Sequence, residues 1–192
     1  GRWSRGLGDV YKRQGYNRRR AETEEALDLV TRDLGLPASE VRSYRDLLEG
    51  VTGPEALAAA DAHLTGDLLK RFRHVVTEGA RVARAEMAMR EGSLAAFGML
   101  MNGSHASLVE DYEVSIPELD ELVAIARDSG AAGARLTGAG MGGCIVALCT
   151  DSEVDSIVGA LAERYYGPRD RIADQDILFA ASPSAGASVE RM

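Results

Sequence analysis

The chain has 192 residues, of which 45% are apolar and 27% charged, a composition typical of a globular protein with a hydrophobic core. Its net charge of −8 argues against nucleic acid or an anionic membrane as a partner, because both are bound by clustered Lys and Arg. No stretch has the ~18 to 20 continuous apolar residues of a membrane span. Two cysteines and three scattered histidines lack the spacing of a zinc site, and the low cysteine content favours a reducing, cytoplasmic setting.

The first 14 residues, GRWSRGLGDVYKRQ, differ from the rest of the chain. They carry four basic residues against one acidic residue, and they show no helical or strand periodicity. They also lack the apolar central region of a signal peptide. This leader resembles translated adapter or vector sequence joined to part of a gene, and the alternative is a native disordered terminus. We therefore expect a non-native or disordered leader at residues 1–14 and one folded domain at residues 15–192.

Helical periodicity dominates the chain as far as Gly130. The spacing of apolar residues predicts these helices: one from Arg20 to just before Gly35, one from Ser39 to Leu48, a short turn opened by Pro54, and the longest from His63 or Asp67 to Glu91, with Ala83 and Met87 on its apolar face. Ser93 is placed to cap the next helix. Ser115 and Glu118 have the spacing of a capping box ahead of a further helix, which Gly130 ends.

After Gly130 the periodicity changes to that of strands. ARLTG (134–138) and CIVALC (144–149) are strands by residue type, residues 151–167 form an amphipathic helix, and DILFAAS (176–182) predicts a last strand. Cys144 and Cys149 point to opposite faces of one strand and cannot pair with each other. This order of elements predicts an α+β fold with helices packed on a small antiparallel or mixed sheet.

A glycine loop, Gly138–Gly143, separates the first two predicted strands. Its glycines match G-x-G-x-x-G, but a dinucleotide-binding fingerprint requires a helix directly after the loop, and CIVALC follows instead. A P-loop is excluded because no Gly-Lys-Ser/Thr follows. Two interpretations remain open. The loop either brings backbone N–H groups together on an anion, or it closes a tight hairpin without a ligand.

Two groups of polar residues invite a functional interpretation but are better explained as structural. His74 and His105 lie in amphipathic helices, where a hydrogen-bonded structural histidine is expected rather than a catalytic base. Three acidic residues near a helix end lack the ligand spacing of a cation site, so we expect them to be solvated: Glu110, Asp111 and Glu113.

A basic run, Arg18–Arg20, opens the first predicted helix. Such a run can mark an anion-binding patch. Three glutamates follow within two helical turns, so we expect ion pairs instead, with Glu22, Glu24 and Glu25.

Four segments together resemble a known family. They are YNRRRAE from Tyr16, RHVVTEGARV from Arg73, MNGSHASLVEDYEVSIPELD from Met101 and GARLTGAGMGGCIVAL around the glycine loop. In this order they resemble segments of the galactokinase branch of the GHMP small-molecule kinases, and the resemblance extends from Tyr16 to the C-terminus. It implies that residues 15–192 are the α+β C-terminal domain of such a kinase, whose family members also have a separate N-terminal domain.

The resemblance implies transfer of the ATP γ-phosphate to the C1 hydroxyl of α-D-galactose, with Mg²⁺. Tyr16 corresponds to the family's sugar-contacting tyrosine. The glycine loop corresponds to the loop beside the phosphate-binding loop and the substrate, and it comprises Gly138, Ala139, Gly140, Met141, Gly142 and Gly143. Met141 stands where galactokinases often have Phe, a change between apolar residues that we expect to be tolerated.

The resemblance assigns no catalytic and no metal-binding residue to this chain. The family's catalytic Asp, its transition-state Arg, its phosphate loop and its Mg²⁺ ligands have no counterpart, and we expect them upstream of Tyr16. Phosphoryl transfer requires these groups together. We therefore expect a C-terminal fragment that is inactive and that binds neither ATP nor Mg²⁺ without the N-terminal domain. Galactose and ATP are then expected to be substrates of the full-length enzyme. The alternative is a non-catalytic, galactokinase-like binding module that senses sugar and nucleotide itself and acts through a partner.

Overall fold

The computed structural model describes residues 4–170 and 177–183, with side chains from Gln14 onward. Within these residues the elements are α1 (Ser4–Asp33), α2 (Tyr44–Gly50), α3 (Gly53–His63), α4 (Gly66–Arg90), α5 (Leu94–Glu110), α6 (Pro117–Asp128), β1 (Gly133–Thr137), β2 (Cys144–Leu148) and α7 (Val154–Leu161). A 3₁₀ turn, Asp151–Glu153, precedes α7, and a π-helical turn, Ala162–Tyr166, and a 3₁₀ turn, Gly167–Arg169, follow it. The predicted α+β class, helices on a small antiparallel sheet, is confirmed.

Two hydrophobic cores lie on either side of α5. The first joins helices α1 to α4, and its buried side chains include Leu27, Val30, Leu47, Phe72 and Val76. The second joins α6, the β-hairpin and α7, and its buried side chains include Leu119, Val123, Leu136, Ile157 and Leu161. Each such side chain stabilises the fold by about 1.5 to 3 kcal/mol when fully buried. Helix α5 packs against α4 on one side and against β1 on the other.

The hairpin is fixed directly on helix α5. β1 pairs antiparallel with β2, with Gly133 opposite Leu148 at one end of the ladder. The other edge of β1 is covered by α5, where Asn102 Oδ1 accepts a hydrogen bond from the Ala134 N–H at 3.0 Å. The approach is close, since a Cβ built on Gly98 would lie 2.2 Å from the Ala132 carbonyl oxygen. The stem of the glycine loop is therefore anchored to the centre of the fold.

Several helix boundaries differ from those predicted. Helix α1 has 30 residues and includes the backbone of residues 4–14, so it is longer than α4, which has 25 and was predicted to be the longest. The helix expected from Ser39 begins at Tyr44, because the Ser43 hydroxyl accepts a hydrogen bond from the Asp46 N–H and caps it. Pro54 opens a helix of 11 residues rather than a short turn.

Two further predictions are wrong, one about the cap of helix α6 and one about a last strand. Ser115 does not cap α6: Ile116 occupies the N-cap position, and Ser115 Oγ instead donates to Asp120 Oδ1 at 2.5 Å. The last strand is not formed, because the described residues 177–182 pair with no strand, and Asp176 lies outside the described residues. Alternating Ile177 and Phe179 imitate a strand pattern, but these side chains are exposed rather than packed on the hairpin.

The C-terminal part of α4 and the region of α7 also differ in detail. Met87, predicted to face inward, is 58% exposed, and Ala83 is exposed too. The amphipathic helix predicted over residues 151–167 is divided among 3₁₀, α and π turns, while Ile157 and Leu161 face inward as predicted. Within the described part of the chain, no helix combines the length and apolarity needed to cross a bilayer.

Candidate functional site

The glycine loop holds an unusual run of left-handed backbone. Gly138, Gly140, Gly142 and Gly143 have φ values of +90°, +78°, +120° and +101°, and Met141 between them has φ +55°. Residues with a Cβ adopt such values only at a cost, whereas glycine does so freely. The conformation therefore requires the glycines. The loop leads directly into β2, which confirms that it does not open a dinucleotide-binding helix.

The glycine loop is seated on the connection between α5 and α6. The Met141 N–H donates a hydrogen bond to the Val114 carbonyl oxygen at 2.6 Å. A Cβ built on Gly140 would lie 2.5 Å from the same oxygen, closer than real Cβ atoms come. The loop therefore touches Val114 backbone to backbone, and glycine is required for the contact as well as for the dihedral angles.

The same loop lies against helix α1 beside Tyr16. A Cβ built on Gly15 would lie 2.4 Å from Met141 Cε, so the Met141 side chain covers the α1 backbone at that point. Tyr16, the next residue, is 45% exposed. The structure thus brings the turn of α1 that carries Tyr16 next to the glycine loop, far apart as they are in sequence. Such proximity is what a site shared by Tyr16 and the loop requires.

Two arginines hold the connection on which the loop rests. Arg19 Nε donates to the carbonyl oxygens of Tyr112 and Glu113, both at 3.0 Å. Arg71 Nη2 donates to Glu113 Oε2 at 2.8 Å, and Arg71 Nη1 donates to the Asp111 carbonyl oxygen. The prediction of ion pairs for Arg18–Arg20 is therefore wrong for Arg19.

The outer two arginines of that run form the expected pairs. Arg18 Nε lies 2.6 Å from Glu22 Oε1, and Arg20 Nε lies 2.9 Å from Glu24 Oε1. Both pairs have the i, i+4 spacing of a helix surface. The middle residue of the run faces the body of the protein, where carbonyl oxygens replace glutamate as its acceptors.

Arg71 was not singled out by the sequence analysis. Its side chain is 1% exposed, and a buried charge requires hydrogen-bonding partners of opposite charge or polarity. It has them, because Nε also donates to Glu22 Oε2 at 2.9 Å. The signal that could have found it is its spacing: Leu68, Arg71 and Val75 lie on one stripe of α4, so a charge stands among apolar residues.

Glu113 is bound rather than solvated, and this corrects the prediction for the acidic residues. Hydrogen bonds from Lys70 and then Arg71 lower the pKa of Glu113 to about 2. Asp111 is also engaged, since its Oδ2 accepts from Ser107 Oγ at 2.9 Å. Only Glu110 is exposed, as expected for all three.

The two helical histidines are structural, as predicted. His74 Nδ1 lies 3.0 Å from Ser107 Oγ, and its ring stacks on Tyr112 with centroids 4.5 Å apart. His105 Nδ1 accepts from the Leu136 N–H at 3.4 Å, and its Nε2 faces Asp120 Oδ1, also at 3.4 Å. Burial lowers the pKa of both, which keeps the rings neutral.

The chemistry around the glycine loop suits an anion better than a metal ion. Within residues 4–170 and 177–183, no three His, Cys, Asp or Glu side chains gather in a way that could hold a metal. Backbone N–H groups of a glycine loop attract phosphate rather than cations. The backbone of the loop is therefore suited to an anionic ligand.

The chain is similar to known proteins over most of its length. The family model "GHMP kinases C terminal" matches residues 85–167. Galactokinase of Enterococcus faecalis is 42% identical over 175 residues, which cover 90% of this chain and 42% of that protein. Galactokinase of Roseiflexus sp. is 42% identical over 159 residues, which cover 82% of this chain and 38% of that protein.

Among solved structures, the Lactococcus lactis galactokinase complexed with galactose matches with a TM-score of 0.69 and 38% sequence identity. The match covers 82% of this chain and 39% of that one. The chain thus spans about two-fifths of the length of the galactokinases it matches. It is a homologue of the galactokinases, and it carries the C-terminal domain of the GHMP kinase family.

Proposed function

We propose that the chain is the C-terminal part of a galactokinase, which transfers the γ-phosphate of ATP to the C1 hydroxyl of α-D-galactose. The observation that carries the proposal is the likeness to the galactose-complexed Lactococcus lactis galactokinase, at 38% identity and a TM-score of 0.69. The contact between the glycine loop and the helix turn of Tyr16 supports it, because the resemblance assigns both to one substrate site. We place the reaction in the cytoplasm, where both free cysteines would remain reduced.

The proposed role of this chain is to position substrate. Phosphoryl transfer depends mainly on alignment of the reacting groups and on stabilisation of charge. The glycine loop has no Cβ at four of its positions, so phosphate or sugar oxygens can approach its backbone N–H groups closely. Tyr16 would offer its exposed hydroxyl to the sugar. Mg²⁺, when bound by the rest of the enzyme, would neutralise phosphate charge.

A chimaera tests the proposal. Residues 15–192 are joined to the part of Lactococcus lactis galactokinase that precedes the matched segment, and galactose-dependent ADP release is followed with ATP and Mg²⁺. We expect turnover, with ³¹P NMR showing phosphate on C1 of the sugar. A folded chimaera without turnover, or one that phosphorylates another hydroxyl, would contradict the proposal.

The unmodified 192-residue chain is the matched control in the same assay. We expect no galactose-dependent ADP from it, because the resemblance places the catalytic Asp and the phosphate loop in the other domain. Turnover by the chain alone would refute its proposed inactivity while leaving the galactokinase assignment intact.

A further inference from the structure

The carbonyl oxygens of the 111–114 connection (Asp111–Val114) are all bound by groups from other elements. Arg71 donates to the carbonyl oxygen of Asp111. Arg19 donates to those of Tyr112 and Glu113, at 3.0 Å each. The carbonyl oxygen of Val114 accepts the Met141 N–H at 2.6 Å. Four consecutive carbonyls thus link α1, α4 and the glycine loop, and only the last of them touches the loop.

The connection is also tied back to helix α5. The N–H groups of Asp111 and Tyr112 donate to the Ser107 carbonyl oxygen, both at 2.9 Å, and the Val114 N–H donates to the Leu108 carbonyl oxygen at 3.0 Å. The tight path leaves Glu113 at φ +54°, a left-handed conformation that a residue with a Cβ adopts only when its surroundings hold it. The surroundings here are the side-chain contacts of Glu113 with Lys70 and Arg71.

Arg71 has the geometry of a clamp. One guanidinium reaches Glu22 on α1, the carbonyl of Asp111 and the carboxylate of Glu113, and it is almost completely buried. A planar fork with five donors can serve three acceptors in different directions, which a lysine ammonium cannot do at the same sites. Arg19 completes the arrangement, because its Nη1 also donates to the Gly15 carbonyl oxygen at 3.4 Å.

We propose that Arg71 is a positioning residue of the glycine loop: with Arg19 it fixes the Val114 carbonyl on which Gly140 and Met141 are seated. It thereby sets the position of the loop relative to the turn of α1 that carries Tyr16. The importance of that position for substrate rests on the proposed function. The contact of the loop with the Val114 carbonyl does not depend on that function, so it can be tested without any kinase activity.

The test is amide hydrogen exchange, followed by NMR on the 192-residue chain without substrate. In Arg71→Met we expect the Met141 amide to exchange about tenfold faster or more, while amides of helix α6 change by much less, because local opening of the loop precedes global unfolding. Arg73→Met is the matched control on the same helix. Its ion pair with Asp61 is exposed, and it should change both sets of amides by less than about twofold.

Two results would overturn the proposal. The Met141 amide could keep its wild-type exchange rate in Arg71→Met, or it could accelerate by the same factor as the amides of α6, which would make Arg71 a contributor to global stability alone. Arg71→Lys keeps the positive charge but removes the planar guanidinium. We expect the Met141 amide to exchange as fast in this variant as in Arg71→Met. Exchange at the wild-type rate would contradict the proposed role of the guanidinium.

If Arg71→Met does not fold, Glu113→Gln is used for the same exchange measurement. That variant keeps the size of the side chain but weakens its contacts with Lys70 and Arg71. Selective acceleration of Met141 exchange would support the proposal, and no selective change would refute it. An inactive chimaera with a loop that loosens as expected would refute the kinase assignment alone, so the two failures are distinguishable.

Discussion

At the scale of single residues, the glycine loop is determined by contacts that leave no room for a side chain. Gly140 combines φ +78° with a backbone contact to Val114, so both conformation and space select glycine. Met141 is different, since it adopts φ +55° with a side chain and uses that side chain to cover Gly15. The loop thus closes on α1 through its one large residue.

His105 supports the stem of the loop and makes the fold sensitive to pH. Its Nδ1 accepts the Leu136 N–H, which protonation would prevent. Burial lowers the pKa of His105 most, nearby Asp120 raises it, and Arg127 and Arg135 lower it further. In the folded state the His105 ring therefore stays neutral at pH values where the same histidine in the unfolded chain, with a pKa of ~6.5, already binds a proton.

We expect the free energy of unfolding to be constant above about pH 7 and to fall as the pH drops below ~6.5. The slope is at most about 1.4 kcal/mol per pH unit for each buried histidine, and His74 contributes in the same direction. Urea unfolding at pH 7.5 and 5.5 measures it, in a range where the contacts of Glu113 persist because its pKa is about 2. Equal stability at the two pH values would contradict this account.

At the scale of elements, helix α5 joins the two cores through its approach to β1. Gly98 faces the Ala132 carbonyl oxygen, and a Cβ there would lie 2.2 Å from it. Gly103 lies in the same helix, but its Cβ would meet only Arg81 Cδ, at 3.7 Å. Gly98 is therefore required by close packing, whereas Gly103 has room for a side chain and only lowers the helix propensity of α5.

Gly98→Ala should lower the free energy of unfolding by about 3 kcal/mol or more, because backbone must move to admit the methyl group. Gly103→Ala should raise it by about 0.5 to 1 kcal/mol, because alanine favours a helix interior. Urea denaturation of both variants beside the parent chain provides the comparison. A similar effect of the two substitutions would show that α5 and β1 are not packed as described.

Local patterns in the sequence predicted most of the elements but not how they meet. The hairpin, α6 and the extent of α4 follow from periodicity and glycine positions, which act within a few residues. Ser115 has the spacing of a cap, yet its hydroxyl bonds Asp120, because side-chain partners are chosen in three dimensions. Arg71 and Arg19 donate to carbonyl groups that are distant in sequence. The place of Arg71 on an apolar stripe of α4 marks it as unusual, but that pattern does not reveal which groups it binds.

At the scale of the whole molecule, the candidate site lies where three parts of the fold meet. Helix α1 belongs to the first core, the hairpin to the second, and the 111–114 connection joins them at the end of α5. The glycine loop therefore depends on both cores being formed.

The most direct test of the central claim is kcat/KM for galactose in the chimaera carrying Gly140→Ala, compared with Gly92→Ala. Both glycines have positive φ, +78° and +66°, but a Cβ on Gly92 meets nothing within 4 Å. We expect the chimaera to turn over galactose, Gly140→Ala to lower kcat/KM about tenfold or more, and Gly92→Ala to change it by less than about twofold. A Gly140→Ala chimaera as active as Gly92→Ala would contradict the proposal that this loop positions substrate in the kinase site.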